Sequence, residues 1–117
     1  MKKVYYLSTC DTCKRIIKEL QLGDEFIYQD IKTEKITTAQ IDEMKELSGS
    51  YENLFSRMAR KYKELGLKEK NLNELDYRKL ILEEYTFLKR PVFIIDNEIF
   101  IGNSKNNIDA IRAKLVH

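Results

Sequence analysis

Short apolar runs and helical repeats alternate along this chain, and their order predicts its architecture. Val4-Tyr5-Tyr6-Leu7 is a continuous apolar run, which predicts a strand over residues 2–7 buried on both faces. Ile16, Ile17 and Leu20 then recur at helical spacing, predicting a helix to about residue 21 with Gly23 as its stop. Glu25-Phe26-Ile27-Tyr28-Gln29-Asp30-Ile31 reads as a second strand. Strand, helix and strand within about 30 residues form a βαβ unit, with parallel strands and a right-handed crossover.

The middle of the chain carries helical signals only. After the polar stretch 32–35, Thr37 and Gln40 match a capping box, and Ile41, Met44 and Leu47 give the helix behind them an apolar face. That helix should stop near Gly49. Residues 51–55 begin another helical piece, residues 56–64 are rich in cations, and Gly66 ends them. Asn73, with Asp76 at the third helical position, caps a further helix lined by Tyr77, Leu80, Ile81 and Tyr85.

Strands return in the last third. Pro91, the single proline, precedes Val92-Phe93-Ile94-Ile95, and Asp96-Asn97 is a two-residue turn leading into Glu98-Ile99-Phe100-Ile101. Gly102 closes the hairpin, and Asn106 or Asn107 caps a final helix with Ile108, Ile111 and Leu115 on its buried face. The order β-α-β-ααα-β-β-α predicts an α/β fold: a four-stranded mixed sheet with helices around it. This is the thioredoxin-like arrangement, as one domain over 1–117 with a helical insertion at about 37–86.

Composition narrows the class of function. At 117 residues, with 43% hydrophobic and 34% charged residues, the chain can bury a proper core. A net charge of +2, from 21 basic and 19 acidic residues, does not suggest direct nucleic-acid binding. No apolar run approaches the roughly 18 residues of a membrane span. The chain enters a strand almost at once, so no secretory leader is expected. Two cysteines as a CxxC pair, without such a leader, suit a reducing cytoplasm.

The candidate chemistry sits at the first strand-to-helix turn, Leu7-Ser8-Thr9-Cys10-Asp11-Thr12-Cys13-Lys14-Arg15. A helix N-terminus presents unpaired N–H groups and the positive end of the macrodipole, which stabilise a thiolate. Cys10 falls where that helix begins. Cys13 shares a face with Ile16, Ile17 and Leu20, so it should point inward while Cys10 points to solvent. The asymmetry suits an attacking thiol and a sheltered resolving thiol. A tetrahedral zinc site needs about four ligands, and two cysteines with one terminal histidine do not supply them. Two inert, half-buried thiols are the plain alternative.

Three stretches together resemble the arsenate reductase-like (ArsC/Spx) family of the thioredoxin superfamily. They are Thr9-Cys10-Asp11-Thr12-Cys13-Lys14, Arg60-Lys61-Tyr62-Lys63-Glu64-Leu65-Gly66-Leu67 and Lys89-Arg90-Pro91-Val92-Phe93-Ile94. The resemblance spans essentially the whole chain. It implies a thiol-based oxidoreductase with Cys10 as nucleophile, Cys13 as resolving thiol and Pro91 as a structural cis-proline. It also implies an anion site. Arg90 would contribute to it, together with Arg57 or Arg60 of the helical block and Lys14. No bound cofactor is implied; glutathione with glutaredoxin, or thioredoxin, would be the reductant. The substrate would be a small oxyanion or a thiol/disulfide compound.

The departures from the arsenate reductases are specific. Lys14 stands where they carry arginine, and it shares its exposed face with Lys18, as a solvated cation would. A lysine binds a tetrahedral anion as a point charge, without the bidentate fork of arginine. Met58 fills a slot where relatives often have arginine, Tyr6 replaces a histidine, and the stretch Ile101-Gly102-Asn103-Ser104-Lys105 lacks the third arginine. Spx-type regulators carry a CxxC at this place, use it as a redox switch and bind RNA polymerase. A regulator of that type, docking a polymerase subunit, is therefore the alternative to an enzyme.

Overall fold

The computed structural model describes residues 1–115. The element order is β1 (Lys2–Tyr6), α1 (Asp11–Leu20), β2 (Phe26–Asp30), α2 (Thr38–Ser48), α3 (Arg60–Glu64), α4 (Glu74–Glu83), β3 (Val92–Ile95), β4 (Glu98–Ile101) and α5 (Lys105–Leu115), with single 3-10 turns at Glu52–Leu54, Leu67–Glu69 and Tyr85–Phe87. Two compact units share these elements. One joins Met1–Glu34 to the stretch from Arg90 onward, and the other is Lys35–Lys89.

The first unit is a four-stranded mixed sheet in the order β2-β1-β3-β4. β1 and β2 are parallel, with Lys2 opposite Phe26 and Tyr6 opposite Asp30, and α1 is their crossover. β3 runs antiparallel to both β1 and β4. Val4 lies opposite Phe93, and this face packs with Ile16 and Leu20 of α1, Phe26, Ile95, and Ile108 and Ile111 of α5. Phe26 meets Phe93 edge-on at 6.3 Å between ring centroids. Every residue of β3 is buried, as its unbroken apolar run predicts. β1 is less enclosed than expected: Val4 and Tyr5 are buried, but Lys2, Lys3 and Tyr6 are only half-buried. At the β3–β4 turn Asp96 adopts the left-handed conformation (φ 57°), which a short polar side chain tolerates.

Two helix ends differ from the sequence reading. α1 stops at Leu20, before Gly23. Gln21 takes the left-handed cap (φ 51°), and its N–H closes onto the Lys18 carbonyl. α5 begins at Lys105, ahead of the expected asparagines, because Ser104 caps it. The Asn107 N–H donates to Ser104 Oγ at 3.1 Å. Asn107 instead reaches back from within the helix to the Gly102 carbonyl, at 2.8 Å.

The second unit contains the helical block. Thr37 and Gln40 form the reciprocal cap of α2, and Asn73 and Asp76 that of α4. Gly49 ends α2 in the left-handed region, at φ 97°. Between these helices the chain is less regular than expected. Residues 51–55 hold only one 3-10 turn, and Phe55 then pairs in an isolated antiparallel bridge with Leu88. The Ser56 N–H donates to the Phe87 carbonyl, which keeps this stretch extended and confines the cationic helix to Arg60–Glu64. Phe55 is the centre of an aromatic cluster, stacked on Phe87 at 5.1 Å and tilted against Tyr77 at 4.8 Å.

α2 and α4 are also joined through Asp42. Arg78 donates to both of its carboxylate oxygens, at 2.9 and 3.2 Å, and the Tyr51 hydroxyl donates at 2.6 Å. Arg78 first, and Tyr51 second, hold the Asp42 carboxyl down at about 2. A carboxyl with a lower pKa folded than unfolded stabilises the fold above its ordinary value, about 3.9. That contribution fades as the pH falls toward about 2. Asp42→Asn should therefore lower the urea midpoint at neutral pH, and the gap from the native protein should narrow as pH falls from 5 to 2. A gap independent of pH would assign the loss to packing alone.

Candidate active site

Sheet register builds this site. β1 delivers Leu7, Ser8 and Thr9 to the turn before α1. Because Tyr5 lies opposite Val92, the start of β3 sits beside that same end of β1. The residues just before Val92 are Arg90 and Pro91. Their peptide bond is cis, Pro91 is buried, and its carbonyl accepts from the Gly102 N–H at 2.9 Å. Sequence positions 10 and 90 are thus brought to one end of the sheet by strand pairing.

Cys10 is the N-cap residue of α1, with extended backbone (φ −97°, ψ 111°). Its N–H donates to the Leu7 carbonyl at 2.9 Å, and its own carbonyl accepts the first helical bond, from Lys14, at 3.2 Å. Cys10 is partly exposed and Cys13 fully buried, the asymmetry that the helical spacing predicts; both are free thiols. Burial pushes the Cys10 thiol up, but four influences outweigh it: the backbone amide of Cys13, the Cys13 thiol, the positive charge of Arg90 and the backbone amide of Thr12. The result is a thiol below its ordinary value. Cys13 goes the other way, pushed up to about 11. Burial is the largest cause and the neighbouring Cys10 adds to it, while a backbone hydrogen bond from Leu7 and the charge of Arg90 oppose them. One pair of thiols is thus split into an easily ionised member and a reluctant one.

The remaining sequence candidates are placed as follows. Lys14 is exposed on α1, its ammonium 3.5 Å from Asp11, a surface ion pair of little energetic weight. Arg57 and Arg60 belong to the helical unit. Arg57 donates to Glu52 at 2.7 Å and to the Tyr77 hydroxyl at 3.0 Å, and it lies over the Phe55 and Tyr77 rings. An anion would have to displace Glu52 to use it. Arg60 is exposed at the first position of α3. Where a third arginine would stand, Asn103, Ser104 and Lys105 are exposed and Lys105 pairs with Asp109 at 3.0 Å. Among the described residues, no group of three or more His, Cys, Asp or Glu could hold a metal ion, and no helix is long and apolar enough to cross a membrane.

Two contributors escaped the sequence reading. Leu7 serves both cysteines through its backbone, accepting from Cys10 and donating toward Cys13. Asp30, at the end of β2, accepts from the Ser8 N–H at 3.3 Å, inside the turn that leads to Cys10. Main-chain roles leave no residue-type signal. Asp30 follows Gln29 at the end of β2, so a polar residue there gave no distinct signal.

The fold agrees with what the chain is similar to. A family model described as "ArsC family" matches residues 5–111. An arsenate reductase (ArsC) related protein from Brucella melitensis superposes with a TM-score of 0.72 at 23% identity, covering 93% of this chain and 92% of that one. A protein of Staphylococcus aureus COL gives a TM-score of 0.75 at 26% identity, covering 94% and 97%. An arsenate reductase from Vibrio cholerae gives 0.72 at 14% identity, covering 94% of each chain. No curated protein matches the sequence.

Proposed function

The chain belongs to the ArsC family, and from that premise we propose that it is a thiol-based oxidoreductase in which Cys10 attacks and Cys13 resolves. The observation that carries this reading is the position of Cys10 at the N-cap of α1, with the charge of Arg90 acting on it and its thiol held below the ordinary value. Cys10 thiolate attacks an electrophilic sulfur or oxyanion centre, and the group it bonds to is then removed by a second thiol. Cys13 is the nearest such thiol. Arg90 stabilises the thiolate and offers its guanidinium to an anionic portion of the substrate, an oxyanion or a carboxylate of glutathione. A reducing compartment such as the cytoplasm would keep both thiols available.

Arsenate is the first substrate to test. The purified protein would receive arsenate with glutathione and glutaredoxin, or with thioredoxin, while reductant consumption is followed. Turnover that disappears in Cys10→Ser supports an arsenate reductase. Its absence with both reductant systems excludes that substrate.

The second reading is a redox-sensing regulator of the Spx type, which docks a subunit of RNA polymerase. A particular feature favours it: a buried second thiol beside Cys10, combined with a stretch at 101–105 that offers no arginine. Mild oxidation that forms a Cys10–Cys13 disulfide and changes affinity for a polymerase subunit at least about tenfold would support it. Equal affinity of the oxidised and reduced forms would not.

A further inference from the structure

The Cys10 turn has to be held in one shape for its chemistry. The Cys10 sulfur must stay at the start of α1, and the Leu7 backbone must keep its bonds to the Cys10 N–H and the Cys13 thiol. The turn itself contributes little to that. Residues 7–9 lie outside regular structure, and the Cys10 N–H to Leu7 carbonyl bond is internal to it. An outside anchor is present at Asp30.

Asp30 closes the β1–β2 ladder opposite Tyr6, and the next N–H, of Ile31, donates to the Tyr6 carbonyl at 2.9 Å. Beyond that point the backbone ladder ends and the Asp30 side chain takes over. Its Oδ1 accepts from the Ser8 N–H at 3.3 Å and from the Lys32 N–H at 3.2 Å. Its backbone carbonyl accepts from the Glu34 N–H at 2.8 Å and the Thr33 N–H at 3.2 Å, which fixes Asp30 itself. The Ser8 side chain first, then the Lys32 and Ser8 amides, hold its carboxyl below the ordinary range against the effect of burial. The carboxylate is therefore charged at neutral pH and committed to the turn. Asp30 is not among the main influences on either thiol, which for Cys10 are burial, Cys13, Arg90 and Thr12 and for Cys13 are burial, Leu7, Cys10 and Arg90.

We propose that Asp30 is a positioning residue for Cys10: by accepting from Ser8 it fixes the 7–9 turn so that the Cys10 sulfur stays on the N-terminus of α1. This rests on the reading of Cys10 as the reactive thiol. The proposal fixes the sign of an effect that simple electrostatics would reverse. Deleting a nearby negative charge would by itself lower the pKa of a thiol. Releasing the turn takes the sulfur from the amides of Thr12 and Cys13, and so raises it.

The test follows iodoacetamide alkylation of Cys10 against pH in the full chain, with Asp30→Ala, Asp30→Asn and Ser8→Ala. The midpoint should rise by about 0.5–1 unit in Asp30→Ala, the scale of one hydrogen bond. Asp30→Asn keeps an acceptor oxygen and should recover at least half of that shift. Ser8→Ala, which loses only the hydroxyl, should move the midpoint up by a smaller amount. An unmoved or lowered midpoint in Asp30→Ala, or no recovery in Asp30→Asn, overturns the proposal. Should Asp30→Ala fail to fold, an unmoved midpoint in Ser8→Ala does the same. Alkylation does not depend on the substrate, so absent arsenate turnover would exclude that substrate and leave this test intact, whereas a Cys10 midpoint at the free-thiol value in the native chain would sink the reading of Cys10 as the reactive thiol.

Discussion

Iodoacetamide at neutral pH should alkylate Cys10 and spare Cys13, and Cys10→Ser should slow total alkylation at least about 100-fold. The thiolate is the reactive species, so each rate scales with its ionised fraction and access. Cys13 is pushed up to about 11, which leaves on the order of one molecule in 10,000 as thiolate at pH 7. It is also fully buried. Cys10 lies below its ordinary value and is partly exposed, so it has the larger ionised fraction and the better access at that pH. Replacing Cys10 removes the two contributions by which it raises Cys13, but burial, the largest cause, stays. Peptide mass mapping after brief labelling reads the result. Comparable labelling at both positions, or a Cys10 midpoint at the free-thiol value, would remove the basis for assigning Cys10 as nucleophile. The same variant should abolish any thiol-dependent turnover.

Much of this site is legible in residue order because its chemistry depends on local structure. Two cysteines three apart at a strand-to-helix turn place one sulfur at the helix N-terminus and the other on the face of Ile16 and Leu20, whatever the rest of the fold does. The sheet was readable for a similar reason: βαβ and hairpin signals are short-range. Arg90 is different. Its closeness to the thiols comes from the antiparallel pairing of β1 with β3, about which residues 89–91 alone say nothing. Resemblance to a family pointed to it, and spacing could not have.

The misread features share a cause, which is competition among residues with similar local preferences. Ser104, Asn106 and Asn107 are all good helix caps. Ser104 wins, and Asn107 finds a second use on the Gly102 carbonyl. Gln21 takes a left-handed cap that Gly23 would adopt at lower cost, because the helix ends where the Gln21 N–H can reach the Lys18 carbonyl. Around Phe55, tertiary pairing with Leu88 overrides a helical pattern. Arg57 could not be judged from sequence either. Its commitment to Glu52, Tyr77 and the Phe55 ring is made by the fold of the helical unit.

Cys13→Ser should turn a passing mixed disulfide into a lasting one. With oxidised glutathione as probe, the Cys10 thiolate attacks one sulfur, forms a Cys10–glutathione disulfide and expels glutathione thiolate. In the native protein Cys13 then loses its proton and attacks the Cys10 sulfur. The Cys10–Cys13 bond forms and the second glutathione leaves as thiolate. The structure supplies a reason for that order. While Cys10 is a thiolate, it raises Cys13 both by hydrogen bonding and by its charge. Once Cys10 is tied up in a disulfide, both effects end; burial still raises Cys13, while Arg90 and the Leu7 backbone still lower it. Part of what holds the second thiol back is thus removed when the first reacts. A thiol fixed next to the adduct competes far better than one free in solution, since intramolecular reactions can gain effective molarities of about 10⁵ M or more when well oriented. Even a small part of that gain gives the Cys13→Ser adduct a lifetime at least about 100-fold longer than the native one. Intact-mass measurement should then show one glutathione per chain accumulating in Cys13→Ser. The native protein should pass to an internal disulfide with no added mass. Cys13→Ala should behave like Cys13→Ser, since loss of the thiol is what matters. An adduct equally persistent in the native chain would leave Cys13 a packing residue of α1, and resolution would then belong to an external thiol.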